Sequence, residues 1–153
     1  MVELDAYAAD CRVYGHVELF EGRLSDQLNQ TVELNIRNVQ VEDLIDGHRV
    51  AMPELTVEHG ELCAVVATGP RGDPARRLTT RTARVEAALG PYRVVGRVHG
   101  PRAGDPFASV LRRGTWVPMT EAIVMYYRCD NEVSERVTTL LVNRHLMHHL
   151  REC

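Results

Sequence analysis

The stretch Arg12-Val13-Tyr14-Gly15-His16-Val17 decides the fold, because Arg93-Val94-Val95-Gly96-Arg97-Val98 repeats it 81 residues later. Both stretches alternate apolar and polar side chains around a central glycine, which is typical of a half-buried β-strand. An internal repeat has to be sought first, because it sets the whole architecture. We therefore interpret the 153-residue chain as two copies of one small unit.

The correspondence continues after this strand. Residues 24–28 correspond to 107–111 at a shift of 83, and at a shift of 85 the apolar positions from Val32 to Leu62 match those from Val117 to Met147. Alternating patterns and turn signals predict strands in each copy. The predicted strands are 12–19, 32–41, 48–58 and 61–67 in the first copy, and 93–98, 116–128, 135–143 and 145–150 in the second.

The segment between the copies has a different character. Asp73-Pro74 fits a helix start, Gly90-Pro91 fits a helix end, and Leu78, Val85 and Leu89 lie seven and four residues apart. This spacing predicts a connecting helix near 74–89. The predicted organisation is a first repeat at 1–68, a connecting loop and helix at 69–91, and a second repeat at 92–153.

Each copy contains about 55–60 residues, a size that is marginal for independent stability. Two such copies gain stability by packing together as one globular unit. The predicted fold class is mainly β, α+β at the margin: a tandem duplication of a small bent antiparallel sheet or partly open barrel.

Three short motifs suggest a relationship. They are Leu24-Ser25-Asp26-Gln27-Leu28-Asn29, Val117-Pro118-Met119-Thr120-Glu121-Ala122 and Val142-Asn143-Arg144. Together they resemble an uncharacterised family of small bacterial β-rich domains with an L-S-D-x-L-N motif, a proline-containing strand ending in T-D-A, and a closing V-N-[KR] strand. Here Glu121 stands where that family has aspartate, and the motifs are divided, the first in copy one and the others in copy two.

The motif residues are the candidate ligand-binding residues: Ser25, Asp26, Asn29, Asn143 and Arg144. The resemblance brings no known activity with it. From the residues alone, Ser25 and Asp26 also fit a helix cap and a first-turn acid, and Asn29 fits a C-terminal cap.

Charge is divided between the halves. Residues 1–66 hold four arginines against thirteen acidic residues (net −9), and residues 67–153 hold fourteen arginines against eight (net +6). A basic half can bind nucleic acid, so this is the alternative function. Its candidate residues are Arg76, Arg77, Arg81, Arg84, Arg112, Arg113 and Trp116. The charge division equally predicts attraction between halves or between chains, and together with unpaired strand edges it favours a homodimer.

Two further groups of residues, the C-terminal histidines and the cysteines, could bind a metal ion. His145, His148 and His149 are candidate metal ligands. Metal binding is the least favoured function, because a strand would place His145 and His149 about 13 Å apart. Four scattered cysteines without a C-x-x-C pair indicate buried free thiols rather than a zinc site.

No catalytic motif is recognisable. The sequence contains no lysine, which excludes lysine-dependent chemistry. The expectation is therefore a non-enzymatic binding or regulatory module without a cofactor, with a protein partner possible. The N-terminal residues lack a signal-peptide pattern and no apolar run is long enough to span a bilayer, so we expect a bacterial cytoplasmic protein with no membrane partner.

Overall fold

In the described residues, alternating apolar side chains form ten β-strands, which pair antiparallel in one sheet. The computed structural model describes residues 1–19, 24–67, 80–101, 104–106 and 114–153. The predicted β-dominated fold class is confirmed. The elements are β1 (Val2–Ala8), β2 (Cys11–Val17), α1 (Leu24–Gln30), β3 (Glu33–Asp43), β4 (Arg49–Glu58), β5 (Leu62–Val66), β6 (Thr80–Leu89), β7 (Tyr92–Pro101), β8 (Trp116–Arg128), β9 (Asn131–Asn143) and β10 (Met147–Glu152), with 3-10 turns at His59–Glu61 and Arg144–Leu146.

The two halves of the sheet have the same strand order. The complete order is β10-β6-β7-β8-β9-β5-β1-β2-β3-β4, so each half runs fifth, first, second, third and fourth strand. This agreement supports the inferred duplication. Within the described residues the sheet ends at β10 and β4 and does not close into a barrel.

Local irregularities recur at matching places in both halves. The β2–β3 pairing slips beside Gly15, and the β7–β8 pairing slips beside Gly96. Opposite these glycines Asn38 and Glu121 have positive φ angles of 52° and 49°. A bulge increases the local bend of a sheet, so both halves bend at the same point.

The structure corrects the alignment of one strand pair. Because His16 faces Arg37 while Arg97 faces Thr120, β3 corresponds to β8 at a shift of 83 rather than the predicted 85. The shift of 85 applies one strand later, between β4 and β9. The second hairpin therefore holds two more residues, 19 from Thr120 to Thr139 against 17 from Arg37 to Glu54, and β8 and β9 are correspondingly longer than β3 and β4.

The predicted helix near 74–89 is wrong where the structure describes it. Residues 80–89 form β6, and residues 74–79 lie outside the described ranges. In β6 the side chains of Ala83, Val85, Ala87 and Leu89 are buried in alternation, the period of a strand. The spacing of Val85 and Leu89 fits both periods, and pairing with β7 and β10 selects the strand. The strand β1 was also missing from the prediction.

Two hydrophobic clusters stabilise the sheet, and they meet at its middle. In β9, Leu140 and Val142 belong to one cluster while Leu141 belongs to the other. Successive side chains of a strand point to opposite faces, so β9 is covered on both faces. Among the described residues no helix has the length and apolar character needed to cross a membrane.

Candidate functional site

The helix α1 places the first motif against the other half of the chain. Leu24 and Leu28 are buried in the cluster of the first half, which fixes the helix on the sheet. At its end, the Asn29 Oδ1 accepts a hydrogen bond of 3.1 Å from the Trp116 backbone N–H. Because Trp116 begins β8, an asparagine of copy one holds the proline-containing strand of copy two.

The closing motif lies at the same point. Trp116 faces Asn143 across the β8–β9 pair. The buried Asn143 side chain donates from Nδ2 to the Leu62 carbonyl at 3.1 Å and accepts at Oδ1 from the His145 N–H at 3.1 Å. The Arg144 N–H donates to the Thr115 carbonyl at 2.8 Å. Asn143 thus joins the end of β9 to the start of β5 in the first half.

The structure therefore brings together motifs that the sequence divides between copies. Of the candidate ligand-binding residues, Asn29, Asn143 and Arg144 lie around the start of β8. Ser25 and Asp26 lie in α1, but their side chains are outside the described residues. Asn29, for which the sequence predicts a C-terminal cap, accepts the bond from Trp116 at the end of α1.

Two ring nitrogens at this site have no hydrogen-bond partner in the described protein. The Trp116 side chain is 2% exposed, and its Nε1 is unpartnered. The half-buried His59 ring lies 6.1 Å from the Trp116 ring, and its Nδ1 is unpartnered too. An unpartnered buried N–H costs free energy, because it has lost its hydrogen bonds to water. Such a donor is a reason to look for an acceptor beyond the described residues.

The second cluster of polar side chains surrounds Arg12, and the sequence analysis missed it. The fully buried guanidinium is ion-paired with Asp5 and with Glu135, the latter at 2.6 Å. It also donates to the Tyr126 hydroxyl at 2.8 Å and to the Ala6 carbonyl at 3.2 Å. The partners come from β1, β8 and β9, so Arg12 connects the two halves.

Aromatic rings enclose this cluster. The Arg12 guanidinium lies 3.7 Å from the centre of the Tyr7 ring, a cation–π contact. Tyr7, Tyr92 and Tyr126 contact one another edge to face. Burial, with the hydrogen bond to Glu135, raises the pKa of Tyr126 to about 12. Burial also raises the pKa of Asp5, against the opposing effect of the Arg12 charge. The alternation that places Tyr126 with Val124 on the apolar face of the predicted strand 116–128 is the available signal.

The nucleic-acid candidates are only partly supported. Arg81 and Arg84 are exposed on β6. Trp116 is buried, so its predicted contact with a base is wrong, since a base needs an accessible ring face to stack on. The remaining candidates Arg76, Arg77, Arg112 and Arg113 lie outside the described residues.

The C-terminal histidines are dispersed. His145 lies in a 3-10 turn, and the exposed His148 and His149 lie in β10 on either side of an irregular pairing step. Among the described residues no three histidine, cysteine, aspartate or glutamate side chains are placed to hold a metal ion. Of the cysteines, Cys63 is buried, Cys11 is half-buried, and Cys129 and Cys153 are exposed. The expectation of buried thiols is therefore wrong for these last two, which lie in a tight turn and at the C-terminus, outside the sheet core.

No family model, curated protein or solved structure matches this chain. The function has to be argued from the site itself.

Proposed function

We propose that this chain is a non-enzymatic binding or regulatory module of the bacterial cytoplasm, and that it binds its ligand where the two halves meet, around Asn29, Trp116 and Asn143. One observation carries the proposal. Motifs separated by almost ninety residues are rejoined around the buried indole N–H of Trp116, which has no hydrogen-bond partner among the described residues.

The site defines the chemistry of the ligand. Trp116 Nε1 is a donor only, so the ligand presents a hydrogen-bond acceptor such as a carboxylate, phosphate or carbonyl oxygen. The His59 ring contributes a second polar contact beside the indole. Because the indole is buried beside the His59 ring, binding of a ligand there displaces neighbouring groups and changes the surroundings of the indole.

Trp116 is the only tryptophan in the chain and therefore reports on this site alone. The test is a titration of the purified protein with acetate, succinate, inorganic phosphate and nucleoside monophosphates, following tryptophan emission. A saturable change with at least one of these probes is expected. If none of them changes the emission, the proposed acceptor chemistry is wrong.

A matched pair of asparagine variants assigns the response to the site. Asn29→Ala removes the acceptor that holds the Trp116 backbone and should weaken binding about tenfold, the effect of roughly 1.4 kcal/mol. Asn35→Ala, on β3, removes a comparable exposed side chain that is bonded to Glu54, and it should bind as the unmodified protein does. Equal binding by the two variants would place the ligand elsewhere.

Nucleic-acid binding is the second candidate, and the exposed Arg81 and Arg84 on β6 favour it. The test is binding of labelled single- and double-stranded DNA and RNA at low salt. Phosphate contacts predict an affinity that falls steeply as salt rises and that drops in an Arg81→Ser, Arg84→Ser double variant. The absence of binding at low salt excludes this candidate.

A further inference from the structure

The two edge strands of the sheet are counterparts of the two strands that join its halves. At a shift of 85, β4 corresponds to β9 and β10 corresponds to β5. The strands β5 and β9 pair in the middle of the sheet. In the described chain β4 pairs only with β3, and β10 only with β6. Within the described residues one junction of this kind forms, and each of the corresponding strands at the two ends keeps one edge without a partner strand.

The internal junction shows which residues face each other. It is antiparallel, and Val65 lies opposite Leu141. On either side of this pair, Ala64 lies opposite Val142 and Val66 lies opposite Leu140. The Val65 and Leu141 side chains are buried. Transferred by 85 residues, the same register sets Leu150 of β10 opposite Thr56 of β4.

The edges keep much of the apolar character of the junction. Leu55 and Val57 of β4 correspond to Leu140 and Val142 of β9, and Leu150 of β10 corresponds to Val65 of β5. At the junction the three counterparts are buried, whereas at the edges the residues are only half-buried. A partner strand at either edge would complete the burial of these residues.

We propose that β10 of one chain pairs antiparallel with β4 of a second copy, in the register that sets Leu150 opposite Thr56. Two copies joined at both edges form a dimer without a free edge. A contact between two β4 strands is disfavoured because it brings the exposed Glu54 and Glu58 of both copies together.

The proposed pairing is weaker than the internal junction. Thr56 and His149 are polar where their counterparts Leu141 and Ala64 are buried and apolar. The exposed Glu152 would also lie opposite Glu54, a like-charge pair that salt screens. The dimer should therefore dissociate on dilution and become tighter as salt rises.

Cysteine cross-linking tests the register directly. In a full-length background with the exposed Cys129 and Cys153 changed to serine, Thr56→Cys with Leu150→Cys is compared with Thr56→Cys with Glu152→Cys, which is two residues out of register. The first pair should give disulfide-linked dimers under mild oxidation, and the second should give few. Equal cross-linking of both pairs, or none of either, overturns the proposal. A disulfide within a single chain also overturns it, because the sheet would then close on itself.

A single substitution tests the same interface without touching an apolar residue. Glu152→Arg replaces the like-charge pair by an attractive pair and should lower the dimer dissociation constant about two- to fivefold in sedimentation equilibrium. A monomer at every concentration and salt, in both this variant and the unmodified protein, refutes the pairing.

Discussion

The same acid–arginine pair occurs in both halves of the sheet, and its surroundings differ completely. Asp5 with Arg12 corresponds to Glu86 with Arg93 at a shift of 81, and each pair joins two neighbouring strands. Arg12 is fully buried, whereas the Arg93 side chain is 63% exposed. Side chains from the second half cover Arg12, and nothing in the described chain covers Arg93 in the same way. The comparison shows that contact between the halves, rather than local sequence, decides how each pair is used.

The largest difference is expected when the two arginines are replaced. Arg12→Met leaves Asp5 and Glu135 without their cation; because these side chains are 36% and 35% exposed, solvent reduces the cost of a fully buried charge to about 2–3 kcal/mol. Arg93→Met removes an exposed arginine and should cost no more than about 1 kcal/mol, since Arg151 still pairs with the buried Glu86 at 2.7 Å. Urea denaturation of both variants measures the free energy of unfolding. Similar losses would show that Arg12 does not connect the halves.

The Asp5–Arg12 pair also shows which features could be predicted from the sequence and which could not. Alternation revealed β2, β3 and β8 because one face of each strand is buried. It failed for β6, whose apolar spacing fits two periods until a neighbouring strand selects one. The divided motifs predicted Asn29 and Asn143 as site residues, but their meeting at Trp116 depends on pairing between β5 and β9. Arg12 could not be assigned a buried role from sequence, because its covering residues Tyr126 and Glu135 are more than one hundred positions away.

Asn143 at the end of β9 and its counterpart Glu58 at the end of β4 give the next comparison. Asn143 is buried and bonded to both Leu62 and His145, whereas its counterpart Glu58 is exposed. Asn143→Ala leaves a buried carbonyl and an N–H without partners and should cost about 1–3 kcal/mol. Glu58→Ala should change the stability by less than about 0.5 kcal/mol. Thermal and urea denaturation of both variants check this. A harmless Asn143→Ala would contradict its role in joining the halves.

The matching glycines of the two bulges should tolerate alanine differently. A Cβ on Gly15 would lie 2.5 Å from Ile36 Cγ2 and 2.9 Å from the Arg37 carbonyl oxygen, so the backbone or the buried Ile36 has to move. Gly15→Ala should therefore destabilise by about 1–3 kcal/mol. A Cβ on Gly96 meets Ala122 and Met119 at 3.3 Å, a milder contact that the reduced entropy of the unfolded chain offsets by about 0.4–1 kcal/mol.

Denaturant midpoints of the two glycine variants provide the measurement. Gly15→Ala should unfold at lower urea than Gly96→Ala, with similar slopes for both. The reverse order would mean that the first bulge relaxes more easily than the second, against the close approach of β2 and β3 at Gly15.

The smallest expected effect separates the two acidic residues by the sign of their pH dependence. Hydrogen bonds from Arg93 and Arg151 lower the pKa of Glu86 to about 2 from its ordinary 4.5. Its contribution to stability is therefore complete above about pH 4.5 and is lost as the pH falls toward 2. Burial raises the pKa of Asp5 above 3.8, so the folded state binds this proton more readily than the unfolded state. Stability linked to Asp5 is present below pH 3.8 and is lost as the pH rises through the raised pKa.

In urea denaturation between about pH 2.5 and pH 6, Glu86→Gln should flatten the loss of stability in acid, and Asp5→Asn should steepen it. Changes of slope in the same direction would show that Arg12 outweighs burial at Asp5 and that the buried and exposed pairs respond to acid alike.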